Sequence, residues 1–239
     1  MKPSIHVEDH AVSQLFMSAI EAYEIEHKAT KRSKGYDKLE TFGLLWGYSI
    51  PQKGNQPPKI IVTHSTVETS AVRHSDWVAP DFESIEFKRE FMQRYWPSIE
   101  LVGSFHSHPY EDLEAVKHNK GWRASPEDEE FFPYFHEMLA KDQEYLAHII
   151  VTVTKLQKRG WAIPERFYGG QDHDAGYVVS ADNRKLWIRG YCSQFTDGYE
   201  EAEDAYFEGD EEASMEEWES YDFISDVNLE IPSIERRFL

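Results

Sequence analysis

Strand-like and helix-like stretches alternate along this chain, and that alternation is its strongest constraint. Helices with one apolar stripe, mixed with apolar strands, settle as helices packed on one central sheet, an α/β or α+β fold. Residues Asp9–His27 read as a helix, because Val12, Leu15, Phe16, Ile20 and Tyr23 recur at three- and four-residue spacing. Glu40–Ile50 (ETFGLLWGYSI) and Lys59–Val67 read as strands on either side of the turn-rich PQKGNQPP. Between the first helix and the first of these strands, Lys28–Lys38 is an exposed basic loop. A helix is expected over Asp81–Trp96, stopped by Pro97, then a strand Glu100–His108 that ends at Pro109, which cannot extend a ladder. Tyr110–Ala124 is polar and reads as a loop. Ser125-Pro126-Glu127-Asp128 is a helix start, with Ser as N-cap, Pro at the first helical position and acids in the first turn. That helix should run to about Asp142. Leu146–Lys155 is a buried strand, and Leu186–Cys192 a final one after the Gly/Asp-rich turn region Gly169–Asp182. There is no internal repeat.

With 239 residues, 40% of them hydrophobic, the chain buries enough surface to stand without disulfides or a structural metal. Its single cysteine, Cys192, excludes a disulfide framework and a thiolate zinc knuckle, and fits a reducing compartment; a cytoplasmic location is expected. The longest apolar stretch, around Leu146–Val153, is far short of the ~18 residues a membrane helix needs. The opening MKPSIHVEDH meets Glu8 and Asp9 before any apolar run, unlike a signal peptide. A net charge of −19 argues against sequence-independent nucleic-acid binding, which relies on cations neutralising phosphates. Twelve of the acids fall within Glu200–Asp222, where there is no Lys or Arg; without them the net charge is an ordinary −7. The expected division is therefore a domain over residues 1–195 and an acidic C-terminal extension over 196–239, flexible or loosely helical, with the boundary near Ser193–Gly198. Tyr206, Phe207, Trp218 and Tyr221 within it would let it dock on a basic surface.

Of the eleven histidines, His6, His10, His27, His118, His136 and His173 have polar neighbours and read as solvated, while His64 and His148 lie in apolar strand patterns and read as hydrogen-bonded core residues. His106 and His108 differ. In Gly103-Ser104-Phe105-His106-Ser107-His108-Pro109 the two imidazoles stand two residues apart at a strand end, so the strand's period of two puts both on one face. Asp128 lies three residues after the N-cap Ser125, held near the positive end of a helix. Two histidines and a carboxylate match a catalytic zinc site with three protein ligands and a fourth position for water. Glu40 opens an otherwise apolar strand, where burying a carboxylate is costly unless it has a partner. No fragment is specific alone: S-x-x-D is an ordinary capping arrangement, and a glutamate at a strand start can simply face solvent.

Together, Glu40 in E-T-F-G-L-L-W-G, His106-Ser107-His108-Pro109 and Ser125-Pro126-Glu127-Asp128 resemble the JAMM motif of the MPN-plus (JAB/MPN) metalloprotease family. The resemblance covers roughly residues 5–160, and its order and element contexts agree with the family's pattern. One departure is the spacing: fifteen residues, Tyr110–Ala124, separate the proline from the serine, more than in the family. The resemblance implies a central mixed sheet flanked by helices, a layered architecture like that of cytidine deaminases. It implies one Zn²⁺ on His106, His108 and Asp128, Glu40 as general acid/base, and Ser125 helping to stabilise an oxyanion, a second task beside its capping role. It also implies hydrolysis of amide or isopeptide bonds at the C-terminus of ubiquitin or a ubiquitin-like protein, whose extended tail would add to a sheet edge. A short stand-alone chain favours the prokaryotic type.

Other histidine-based hydrolases fit less well. A zinc deaminase needs H-x-E and P-C-x-x-C, which one cysteine excludes; a metallo-β-lactamase-like site needs H-x-H-x-D-H, where this chain has Tyr110 and Glu111. An amidohydrolase barrel also begins with H-x-H, but takes about 250 residues, and here the pair lies mid-chain. The alternative of another class is an MPN-type binding scaffold without catalysis, which usually lacks some of the ligands this chain keeps. A DNA-processing relative with the same motif is disfavoured by the acidity.

Overall fold

A computed structural model describes residues 2–28, 30–168, 170–201 and 215–235. In chain order its strands are β1 (Ser4–Val7), β2 (Phe42–Ile50), β3 (Lys59–Val67), a short pair β4 (Val72–Arg73) and β5 (Val78–Ala79), β6 (Glu100–Tyr110), β7 (Tyr145–Arg166), β8 (Gly176–Glu201), β9 (Met215–Ile224) and β10 (Asn228–Glu230). Its helices are α1 (Asp9–Glu24), α2 (Phe82–Tyr95), α3 (Leu113–Asn119), α4 (Pro126–Leu139) and α5 (Pro232–Glu235). Among the described residues, eight strands form one mixed sheet in the order β10-β1-β3-β2-β6-β7-β8-β9, and β4 pairs only with β5. The expected mixed α/β class is therefore what the chain adopts.

The alternation of strand side chains sorts the core into two layers. Leu45 of β2 and Ile149, Val151 and Val153 of β7 join Val12, Leu15 and Tyr23 of α1 in one cluster. On the other face Phe42, Leu44 and Trp46 of β2, with Leu146 of β7, pack with Ile85 of α2 and Phe135 and Leu139 of α4. Each of these large side chains contributes roughly 1.5–3 kcal/mol by leaving water. No helix among the described residues is long and apolar enough to cross a membrane.

Several expectations are corrected. The segment Tyr110–Ala124 is not all loop: Asp112 caps α3 by accepting the N–H of Ala115 at 2.8 Å, and Val116 is buried beneath it. The β6 strand does not stop at His108 but pairs with β7 through Pro109↔Val153 and Tyr110↔Thr154. Ser107 directs its N–H toward Thr41, so position 109 faces that same side, where β2 has already ended, and the missing proline N–H interrupts no ladder bond. Strand β7 is continuously buried to Thr154, after which it is largely exposed apart from Pro164 and, among the described residues, pairs with β8 alone. His136 is not solvated but fully buried.

The boundary expected near Ser193–Gly198 lies inside β8, whose Cys192 and Ser193 are buried. Beyond it β9 pairs antiparallel with β8 and β10 pairs parallel with β1, so the chain after 195 returns to the sheet. Of the acidic tract, residues 202–214, including Tyr206 and Phe207, lie outside the described residues; on either side of them the chain is strand rather than loose helix.

Candidate metal centre

Strand β6 presents His106 and His108 to the α4 face of the sheet, and α4 brings Asp128 to meet them. His106 Nε2 lies 3.0 Å from Asp128 Oδ1, His108 Nε2 lies 3.4 Å from Asp128 Oδ2, and the two Nε2 atoms are 3.0 Å apart. These donor atoms all fall within 4.8 Å of one another, so the group could hold a metal ion. The orientation of His108 fits that use: its Nδ1 donates to the Gly121 carbonyl at 3.1 Å, which leaves the Nε2 lone pair for a ligand. A side chain at Gly121 would place its Cβ 2.3 Å from the Tyr110 ring, so glycine lets this carbonyl come so close. Thr152 Oγ1 donates to the same carbonyl at 2.8 Å.

Asp128 is fixed by a capping box. Ser125 N–H donates to Asp128 Oδ2 at 2.8 Å, and Asp128 N–H donates to Ser125 Oγ at 3.1 Å. The Ser125 hydroxyl oxygen thus acts as an acceptor while its proton remains free to donate, so capping and a second donor role do not exclude each other. Burial would raise the Asp128 pKa, but the charges and hydrogen bonds of His106 and His108 hold it far below the usual carboxylate range. Burial by itself would lower that of His108, and its hydrogen bond with Asp128 raises it instead.

No protein-family model matches this chain, and no curated protein does. The site is therefore read from its own atoms.

Glu40 lies just before β2 rather than in it. Extending the register Phe42↔His106 by two residues sets Glu40 opposite His108, on the same face as both imidazoles. Ser107, between the histidines, faces the other way; its Oγ accepts the Thr41 N–H at 3.0 Å and its own N–H donates to Thr41 O at 3.0 Å. The serine of the H-S-H triplet thus ties the backbone next to Glu40 to the ligand strand. Glu40 N–H also donates to His74 O at 2.7 Å, joining it to the β4–β5 hairpin. The residue is 7% exposed, and burial pushes its carboxyl up to about 7, against the opposing pull of His106 and His108.

Glu40, His106, His108, Ser125 and Asp128 all line one cleft of about 640 Å³. The β4–β5 hairpin supplies one wall through Asp76 and Trp77, and α3 supplies another through Ala115 and Asn119. Trp77 is 49% exposed and stacks on His74 with ring centroids 5.6 Å apart. These wall residues, and Gly121, carry no sequence signal of their own.

Proposed function

We propose that the chain is a zinc-dependent hydrolase of the JAMM, or MPN-plus, type that cleaves amide or isopeptide bonds at the C-terminus of ubiquitin or a ubiquitin-like protein. The observation that carries this reading is the convergence of two imidazoles, one carboxylate and a separate buried glutamate on one cleft, from the segments that resemble the motif. In this reading His106, His108 and Asp128 hold zinc, a borderline ion suited to nitrogen and oxygen donors. The chemistry a bound zinc supplies is Lewis acidity, which polarises a carbonyl and brings the pKa of water to roughly 7.

The chain's own groups account for the proton traffic. A Glu40 carboxyl titrating near 7 is matched to accept a proton from the attacking water and return it to the leaving amine. Water adds to the amide carbon, the C–N bond breaks, and the products are a carboxylate and an amine. The free Ser125 proton can donate to the oxyanion of the tetrahedral intermediate; such a donor is typically worth about 10²–10³ in turnover. An extended C-terminal tail would lie in the cleft between Trp77 and α3.

The test is incubation of the purified chain with fusions of candidate ubiquitin-like proteins, with and without a chelator, followed by intact mass. Chelator-sensitive cleavage after the terminal residue of the ubiquitin-like part is expected. Stoichiometric zinc without cleavage of any fusion or isopeptide conjugate would leave a binding scaffold as the better description.

A further inference from the structure

Helix α2 is held to the rest of the molecule along one side and leaves the other bare. Ile85 is its one fully buried residue, and Phe82 and Met92 pack beside it on the cluster that includes Phe135 and Leu139 of α4. Lys88 reaches back to the buried Glu68 at 2.6 Å. Phe87, Phe91, Tyr95 and Trp96, by contrast, are 48–66% exposed. The first three stand four residues apart and so share one face of the helix; Trp96 follows at the C-cap. The Phe91 ring lies 4.8 Å from Tyr95 and 6.1 Å from Trp96, centroid to centroid, so the rings form one continuous patch. Phe87, Glu90, Phe91, Gln93, Arg94 and Tyr95 line an open groove there of about 470 Å³. Single apolar side chains are ordinary on a surface, whereas a contiguous aromatic patch marks an interface.

Charge indicates what covers it. Glu83, Glu90 and Arg94 are spaced by seven and four residues, so they fall in one row along the edge of the aromatic face. The row is acidic toward the start of the helix and basic toward its end, and none of the three has an ion-pair partner among the described residues. An aromatic face alone would suit many partners, but a row of this polarity suits its own reverse. When two copies of α2 lie antiparallel across a two-fold axis, each row faces the other run backwards. Glu83 of one copy is then level with Arg94 of the other, and the pair repeats on the far side of the axis. Their separation along one helix is about 16 Å, so the axis crosses midway, between Phe87 and Phe91. Glu90, nearer the axis, keeps Arg94 of its own helix one turn away. A parallel arrangement would instead set Glu83 against Glu83 and Arg94 against Arg94.

We propose that the exposed face of α2 binds a second copy of this chain, forming a two-fold dimer in which the two α2 helices pack antiparallel through Phe87, Phe91, Tyr95 and Trp96. None of these residues lines the cleft of the metal centre, so the proposal stands apart from the protease reading.

The test is sedimentation equilibrium of the full chain at fixed ionic strength, with circular dichroism to confirm that each variant is folded. A monomer–dimer equilibrium is expected in the wild type. Phe91→Asp, which changes an exposed side chain, should raise the dissociation constant more than about tenfold. Arg94→Glu and Glu83→Arg should each weaken the dimer too, because each sets like charges together at both ends. An equimolar mixture of these two variants should recover it, since each then carries the charge that the other needs. Should Phe91→Asp fail to fold, the charge exchange carries the test alone. A wild type that stays monomeric at every concentration would leave the face to a different partner and overturn the proposal. A dimer undiminished in folded Phe91→Asp, or a mixture that associates no more tightly than the single variants, would overturn it equally.

Discussion

Two buried pairs of histidines sit side by side in this molecule, and they end in opposite states. In the first, His136 Nε2 faces the Gln143 carbonyl at 2.9 Å and its Nδ1 faces Ser193 Oγ at 2.9 Å; His148 Nε2 faces the same Ser193 Oγ at 2.9 Å, and its Nδ1 faces Ser104 Oγ at 2.8 Å. A carbonyl can only accept, so His136 donates from Nε2 and accepts the Ser193 proton at Nδ1. Ser193 must then accept from His148 Nε2, and Ser104 donates to His148 Nδ1. Every nitrogen is matched with both rings neutral, and burial lowers both pKa values accordingly. In the second pair, His108 spends Nδ1 on Gly121, while the Nε2 atoms of His106 and His108 turn toward each other and Asp128. Burial is similar in the two pairs. What separates a core histidine from a candidate ligand is where its second nitrogen points.

The largest expected effect falls on the second pair. Asp128→Ala should lose bound zinc, from one ion per chain to background by elemental analysis, and with it all hydrolysis. It also breaks the capping box, so helix α4 should fray at its start. Full zinc content in this variant would remove Asp128 from the ligand set.

Exchanging the perturbation between the pairs sharpens the contrast. His148→Ala strands the Ser104 hydroxyl proton, takes from Ser193 Oγ the N–H it accepts, and removes the ring stacked 4.2 Å from Phe132. With the cavity it leaves, the loss should be about 3–4 kcal/mol by denaturant unfolding, with zinc retained. His106→Ala should show the converse, loss of zinc from a folded chain. A His148→Ala protein that was stable and metal-free would reverse the two roles.

Their dependence on pH also differs in sign from that of the neighbouring glutamate. His136 and His148 have folded pKa values below the 6.5 of the free ring, so their contribution is complete above 6.5 and is lost as pH falls toward their folded values. Glu40 is raised from 4.5 to about 7, so the folded state binds its proton more tightly and stability declines as pH rises through that window. In metal-free protein, Glu40→Gln should therefore stabilise above pH 7, by on the order of 2–3 kcal/mol, and gain little below pH 4. The same variant should keep zinc while hydrolysis falls by about 10²–10⁴. Equal unfolding profiles for the two proteins across pH 4–8 would show that Glu40 is not desolvated.

Much of this arrangement was legible in the sequence, for reasons of period. Strand β3 falls on the Lys59–Val67 read from its apolar pattern, and the Ser125 cap and Asp128 carboxylate lie where S-P-E-D placed them. The two-residue spacing of His106 and His108 fixed a common face before any coordinates. Periodicity reports burial rather than pairing, however, and so no apolar pattern marks the extension of β7 past Lys155, which is largely exposed, or its pairing with the half-buried stretch of β8 before Leu186. Helix α3 was illegible because a seven-residue helix burying Val116 alone has no stripe to read. His136 reads as solvated in the sequence, but it follows Phe135 on the helix face that also buries Phe132 and Leu139, and its hydrogen-bonding partners, Gln143 and Ser193, lie outside the helix. Gly121 matters through His108 and Tyr110, more than ten residues away in the chain, which a local reading does not reach.

The smallest expected effect tests how firmly the ligand pair is oriented. Thr152 stands opposite His108 in the β6–β7 register and gives its hydroxyl proton to the Gly121 carbonyl that also receives the His108 Nδ1 proton. Thr152→Val keeps the shape of the side chain but removes that second donor, at a cost of about 1 kcal/mol in stability. The carbonyl keeps His108 as its partner but gains freedom to shift, so the imidazole is held less tightly toward Asp128. Because the change lies one step behind a ligand, zinc affinity measured by chelator competition should fall a few-fold, below the 10–100-fold typical of losing a ligand's direct partner. A stability loss with unchanged zinc affinity would mean that β6 alone sets the His108 ring, and that the Gly121 carbonyl serves the turn rather than the metal centre. The same contrast drawn between the two histidine pairs would then rest on strand geometry, with the hydrogen bond at Nδ1 a consequence of the ring's position and not its cause.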